Sequence, residues 1–137
     1  MEKERPDIQF VHDYTALPFP KALLGRIAAK VYANENIAPQ KSLIAILCSD
    51  YKIRKLNARY RKKDKPTDVL SFSLDEPDCL GEIYISLQRC VVDARAFGMS
   101  YDEEIERVFV HGLIHLLGYD HGSKMEEKER AYRTLAT

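Results

Sequence analysis

The chain has 137 residues, of which 45% are hydrophobic and 31% charged, a balance that fits one domain with a real core and excludes a disordered or low-complexity chain. Its 21 Lys and Arg offset 21 Asp and Glu, so a uniformly basic nucleic-acid binder is excluded, although nothing is fixed about how the charge is distributed. Cys48, Cys79 and Cys90 are odd in number and form no Cys-x-x-Cys pair, which excludes a disulfide framework and predicts free thiols among the small core residues of a chain in a reducing compartment.

The first residues, Met-Glu-Lys-Glu-Arg-Pro, lack the apolar stretch of a secretory signal, and the longest wholly apolar run is Leu43 to Cys48. No membrane span is expected, and the expected location is cytoplasmic.

Ile8, Phe10 and His12 alternate with their neighbours and predict a short first strand, with His12 a strand residue. Pro18 to Asn34 carries Leu23, Leu24, Ile27, Ala28 and Val31 at helical spacing, a stripe that packs one face on a core. Asn36 to Lys41 reads as a loop. Ser42 to Cys48 is a continuous apolar run of strand length, expected at the centre of a sheet and covered on both faces.

Asp50 to Lys65 begins behind a Ser49 or Asp50 cap, places Ile53, Leu56 and Tyr60 on one stripe, and so reads as a helix that opens into a loop. Lys52, Arg54, Lys55, Arg59, Arg61, Lys62, Lys63 and Lys65 give eight positive charges between residues 52 and 65 against Asp64 alone. Such a run is often just a solvated face, but so lopsided a cluster in a neutral chain is also how phosphate backbones are held.

Pro66 and Thr67 end the loop. Asp68 to Leu74 then alternates, with Leu70, Phe72 and Leu74 on one face and Ser71 and Ser73 on the other, a half-buried strand. Glu76-Pro77-Asp78 is a turn, and Gly81 to Ser86 is a second alternating strand, its expected antiparallel neighbour. Leu87 to Phe97 is a helix stopped by Gly98.

Ser100-Tyr101-Asp102-Glu103 is a capping box, and Asp102, Glu103 and Glu104 suit the positive end of the helix that follows. That helix carries His111 and His115, one turn apart and so on one face, roughly 6 Å apart along the axis. Gly118 tolerates the positive φ at which a helix stops and the chain reverses, which would bring His121 back toward the pair. Ser123 to Glu126 repeats the capping-box pattern and predicts a final charged helix packed through Met125, Ala131, Tyr132 and Leu135.

A lone histidine in an apolar helix is ordinarily a hydrogen-bonded core residue. Here His111 and His115 are the only ionisable side chains between Val108 and Leu117, and burying two unpartnered imidazoles is costly. The spacing describes a facial set of three nitrogen ligands. Zinc suits it best, since three protein ligands leave a fourth tetrahedral position open for chemistry. The His-x-x-x-His-x-x-Gly-x-x-His spacing is that of the metzincin zinc proteases, but their glutamate base follows the first histidine, and here that place is Gly112.

With the triplet and the stretch Tyr60-Arg61-Lys62-Lys63-Asp64-Lys65-Pro66-Thr67-Asp68-Val69-Leu70-Ser71-Phe72 both in view, the chain resembles the YbeY family of bacterial ribosomal RNA maturation factors. Leu80 to Ser86 and the order of elements also fit, so the resemblance covers roughly residues 40 to 125. It implies a zinc-dependent, single-strand-specific endoribonuclease that processes the 3′ end of small-subunit ribosomal RNA and acts in ribosome assembly and quality control. Its implied partners are ribosomal RNA, the small ribosomal subunit and assembly factors. It places one zinc ion on His111, His115 and His121, and the functionally important arginine on Arg61.

The rival readings are a metalloprotease-like hydrolase and a non-catalytic ribosome-assembly factor with structural zinc. The latter needs Cys48, Cys79, Cys90 or Asp120 to close the fourth position. The expected fold is α+β: a single domain with a mixed sheet of about four strands, helices mainly on one side, and the metal helix near the centre of the core.

Overall fold

Continuous and alternating apolar runs dictate which strands are interior, and the computed structural model, which describes residues 5–65, 67–120 and 122–135, follows that logic. In chain order the elements are β1 (Ile8–His12), α1 (Lys21–Asn34), β2 (Ser42–Cys48), α2 (Asp50–Arg61), β3 (Val69–Glu76), β4 (Cys79–Ser86), α3 (Leu87–Phe97), α4 (Tyr101–Leu116) and α5 (Ser123–Tyr132). The strands form one mixed sheet in the order β1-β2-β4-β3. β1–β2 and β2–β4 are parallel, whereas β3 and β4 form an antiparallel hairpin about a turn at Pro77 and Asp78.

β2 is buried on both faces, as its unbroken apolar run requires. Leu43, Ala45 and Leu47 join the main core with residues of α1, α3, α4 and α5, while Ile46 and Cys48 face a smaller cluster with Ile53 of α2 and Leu70 of β3. Helices therefore lie mainly on one side, with α2 alone contributing to the other cluster. α4 is the most central: Ile105, Val108, Phe109, Leu113 and Ile114 are fully buried.

Local capping rules set most helix ends. Ser49 caps α2 by accepting from the Lys52 amide, and Ser100 and Glu103 form the expected box at α4. α1 starts at Lys21 rather than Pro18, behind Pro20 with no side-chain cap. α2 ends at Arg61 rather than running on to Lys65, because Lys62 adopts a left-handed conformation (φ 57°) and turns its amide to the Asn57 carbonyl.

The second capping box does not form. Gly122 takes the N-cap position at φ 139° and Ser123 is already the first helical residue, so its hydroxyl caps nothing. Of the contacts expected for α5, Met125 and Tyr132 are buried, but Ala131 is exposed and Leu135 is 40% exposed.

Cys48, Cys79 and Cys90 are free, and burial pushes the Cys48 thiol up to about 12. Among the described residues no helix is long and apolar enough to cross a membrane.

Candidate functional site

The site lies where α4 crosses the edge strand β3. Gly112 makes the close approach possible: a Cβ there would sit 2.9 Å from Ser71 Oγ, 3.0 Å from Ile83 Cγ2 and 3.1 Å from Val69 Cγ2. The Ser71 hydroxyl donates to the Gly112 carbonyl at 2.9 Å and fastens helix to strand. The place of a metzincin glutamate is thus a packing surface against the sheet.

Adjacent positions on the helix open into a cleft of about 380 Å³, lined by His111, His115, Ser71, Ser73, Thr67 and Asp68, among others, with Arg61 reaching in from the end of α2. Ser71 and Ser73, the polar face of the half-buried strand, form the wall of this open cleft, while Leu70 and Phe72 pack under α2; Leu74, expected on the packed face with them, is 43% exposed. Larger hollows of about 540 and 710 Å³ flank α1, but they gather neither histidine nor carboxylate.

The imidazoles of His111 and His115 stand 4.7 Å apart, centroid to centroid, and nearly perpendicular at 82°. His111 Nδ1 lies 2.6 Å from Glu129 Oε1 of α5. A carboxylate only accepts, so Nδ1 is the donor of this pair and Nε2 is the ring nitrogen left for a ligand. Metal-ligating histidines are commonly oriented in this way, by a carboxylate behind the ligand. Sequence reasoning missed Glu129, one acid among several in a charged helix.

His121 lies outside the described residues, as does Pro66. On either side of residue 121 the described chain reverses. α4 ends at Leu116, Gly118 has φ 91°, and α5 returns so that Glu129 meets His111.

Glu35, at the end of α1, holds this return in place. It accepts from the Tyr119 hydroxyl (2.9 Å), the Tyr132 hydroxyl (2.6 Å) and Lys128 Nζ (2.8 Å). Burial pushes the Glu35 carboxyl upward, but the donors Lys128, Tyr132 and Tyr119 outweigh it and hold the group below the ordinary glutamate range.

A second anchor starts at the buried Glu104, which accepts from Arg107 Nε (2.7 Å) and Nη2 (2.8 Å), while the same Nη2 reaches Asp68 at 3.1 Å on the cleft wall. Donor atoms of Asp68, Asp93 and Glu104 lie within 4.8 Å of one another, close enough for a potential cation site. The Arg107 guanidinium already supplies positive charge against two of the three, which is how buried carboxylates are ordinarily satisfied.

None of the three cysteines lines the cleft; Cys48 belongs to the cluster under α2 and Cys90 to the main core.

Fold and cleft together define a small α+β protein with a histidine-bearing helix laid against the edge of a mixed sheet and a basic helix delivering an arginine to the same opening. The chain belongs to the Endoribonuclease YbeY family, whose model matches residues 15–134. It is 47% identical over 97 residues to the Endoribonuclease YbeY of Aquifex aeolicus, a match that covers 68% of this chain and 64% of that one. It is 39% identical over 116 residues to that of Geobacillus kaustophilus, covering 75% of this chain and 74% of that one. The first of these matches thus spans less than two thirds of the relative's length. The fold is also similar to a solution structure from Thermotoga maritima, with a TM-score of 0.64, 32% identity, and coverage of 91% of this chain and 85% of that one.

Proposed function

We propose that this chain is a zinc-dependent endoribonuclease that cleaves single-stranded RNA, acting in 3′-end maturation of small-subunit ribosomal RNA, in ribosome assembly and in ribosome quality control. Its partners on this reading are ribosomal RNA, the small subunit and its assembly factors, in the cytoplasm. The relatives' name supports the RNA, and one observation carries the chemistry. A single cleft gathers His111, His115 and Arg61, and Glu129 holds the first imidazole from behind.

His111, His115 and His121 would hold one zinc ion. The donor set fits: two imidazoles of one helix face lie 4.7 Å apart, and the Glu129 carboxylate takes Nδ1 of His111, which leaves Nε2 as the nitrogen that would ligate. The chemistry a bound zinc supplies is Lewis acidity toward a phosphoryl oxygen and toward water. Arg61 presents a planar guanidinium fork to the anionic phosphate, and Ser73 offers a hydroxyl donor in the same cleft, the Ser71 proton being committed to the Gly112 carbonyl. The protease reading loses its base at Gly112, and of the four side chains that could close a structural zinc site the three cysteines do not line the cleft, which leaves that reading Asp120.

The test is metal analysis of the wild type and of His111→Ala, His115→Ala, His121→Ala and Arg61→Ala, alongside cleavage of a single-stranded RNA. The histidine variants lose metal and cleavage together. Arg61→Ala keeps the metal and loses roughly 100- to 1,000-fold in rate, the usual cost of one donor to a developing charge. A wild type that binds no zinc, or an Arg61 variant that cleaves at full rate, sinks the proposal.

A further inference from the structure

The exposed side of α2 has a pattern that the cleft does not use. Tyr51, Lys55 and Arg59 recur every four residues and so form one stripe, while Ile53 and Asn57 are buried and Leu56 packs on the smaller cluster. Two cations of the segment are neutralised, Lys52 by Asp13 at 2.9 Å and Arg54 by Asp64 at 2.9 Å. Lys55 and Arg59 pair with no carboxylate among the described residues. They lie over aromatic rings instead, Lys55 Nζ 4.8 Å from the Tyr51 centroid and the Arg59 guanidinium carbon 5.2 Å from that of Tyr60.

Both rings are open to solvent, Tyr51 being 68% and Tyr60 57% exposed. Tyr60 is braced edge-on by Phe72 at 5.4 Å. An exposed tyrosine contributes little to the core. Two of them interleaved with cations make the combination that binds an unpaired strand, with rings to stack bases and ammonium or guanidinium groups to track phosphates. The stripe also ends near the cleft, since Arg61, two residues past Arg59 at the end of α2, lines it.

We infer that the Tyr51, Lys55 and Arg59 stripe of α2, together with the Tyr60 ring that Arg59 covers at the helix's C-terminal end, is a second binding site for single-stranded RNA, holding the strand that flanks the phosphate in the cleft. The inference rests on the proposed RNA cleavage, and it adds a substrate-length requirement: a long strand engages both sites, a short one only the cleft. Charge complementarity selects the occupant, because the carboxylate beside the stripe, Asp64, is neutralised by Arg54, and the remaining excess of cations on a neutral chain suits a polyanion with exposed bases.

The experiment compares wild type with the triple variant Tyr51→Ala, Lys55→Gln, Arg59→Gln and with the single variants Tyr51→Ala and Tyr51→Phe. All are exposed helix positions whose folding is checked by circular dichroism. Binding is read by anisotropy of a long single-stranded RNA with methylated 2′-hydroxyls, and cleavage is read on a long RNA and on a short oligonucleotide that fills only the cleft.

The triple variant should bind the long RNA at least about tenfold more weakly. The slope of log affinity against log salt should fall by about 1.4, because two phosphates of a single strand are no longer neutralised. Tyr51→Ala should weaken binding and Tyr51→Phe should not. Cleavage of the short oligonucleotide should be unchanged.

If the triple variant binds long RNA as the wild type does, this second site is refuted and the cleft reading stands. A wild type that neither binds nor cleaves RNA removes both. Loss of affinity in the triple variant that is equal for polyphosphate, with Tyr51→Ala silent, overturns base stacking on this face.

Discussion

Gly112→Ala sets two local rules against each other and lets the tertiary structure decide. Replacing a mid-helix glycine by alanine ordinarily stabilises by about 1 kcal/mol. Here the new methyl would meet Ser71 Oγ at 2.9 Å, Ile83 Cγ2 at 3.0 Å and Val69 Cγ2 at 3.1 Å. Ser71 can rotate away, but that breaks its bond to the Gly112 carbonyl, a loss of about 1 kcal/mol that cancels the helix gain. Ile83 is fully buried on an interior strand and cannot retreat without moving the sheet. What remains is overpacking, about 1–3 kcal/mol. Urea denaturation should place the midpoint of Gly112→Ala below that of the wild type by roughly 1 M at unchanged slope. A midpoint equal to or above that of the wild type would refute the claim that α4 rests on β3 at this residue. Gly112→Glu, which restores the protease's base on paper, should be the more damaging change and should yield no peptidase activity.

Three further outcomes are expected. Glu35→Gln should cost about 2–3 kcal/mol, since three donors lose a charged acceptor. Because the folded-state carboxyl is depressed, its contribution is full above the ordinary glutamate range and disappears as pH falls through the depressed value, so the gap in melting temperature between wild type and variant should close on acidification; a gap that widens contradicts this. Glu129→Gln should weaken zinc binding about 10- to 100-fold in a chelator competition while leaving the far-ultraviolet circular dichroism intact, and unchanged affinity would remove Glu129 from the site. Asn57 is buried and its side-chain amide donates to the Lys65 carbonyl at 3.0 Å, so Asn57→Ala should loosen the loop beyond Arg61 and destabilise by about 1–2 kcal/mol, read in the same urea titration; full wild-type stability would mean that this hydrogen bond does not hold the loop.

The sequence by itself determined what depends on near neighbours. A serine and a glutamate three residues apart start α4, a glycine turns the chain after it, and an unbroken apolar run makes β2 an interior strand, because caps and periodicity act within a turn or two of chain. The histidine spacing belongs to the same class. Arg61 was separable from seven neighbouring cations only through the family likeness, since nothing local distinguishes the one that reaches the cleft.

Only the tertiary structure decided the rest. It put Glu129 behind His111 across 18 positions, Ser71 under Gly112 across 41, and Tyr119 on Glu35 across 84. It also made the serine face of β3 the wall of the cleft, and it replaced the second capping box with a bare glycine. These pairings follow from strand order and from the direction in which α5 returns. Hydrophobic patterning is silent on both, because the same alternation and the same apolar stripes fit several sheet orders equally well.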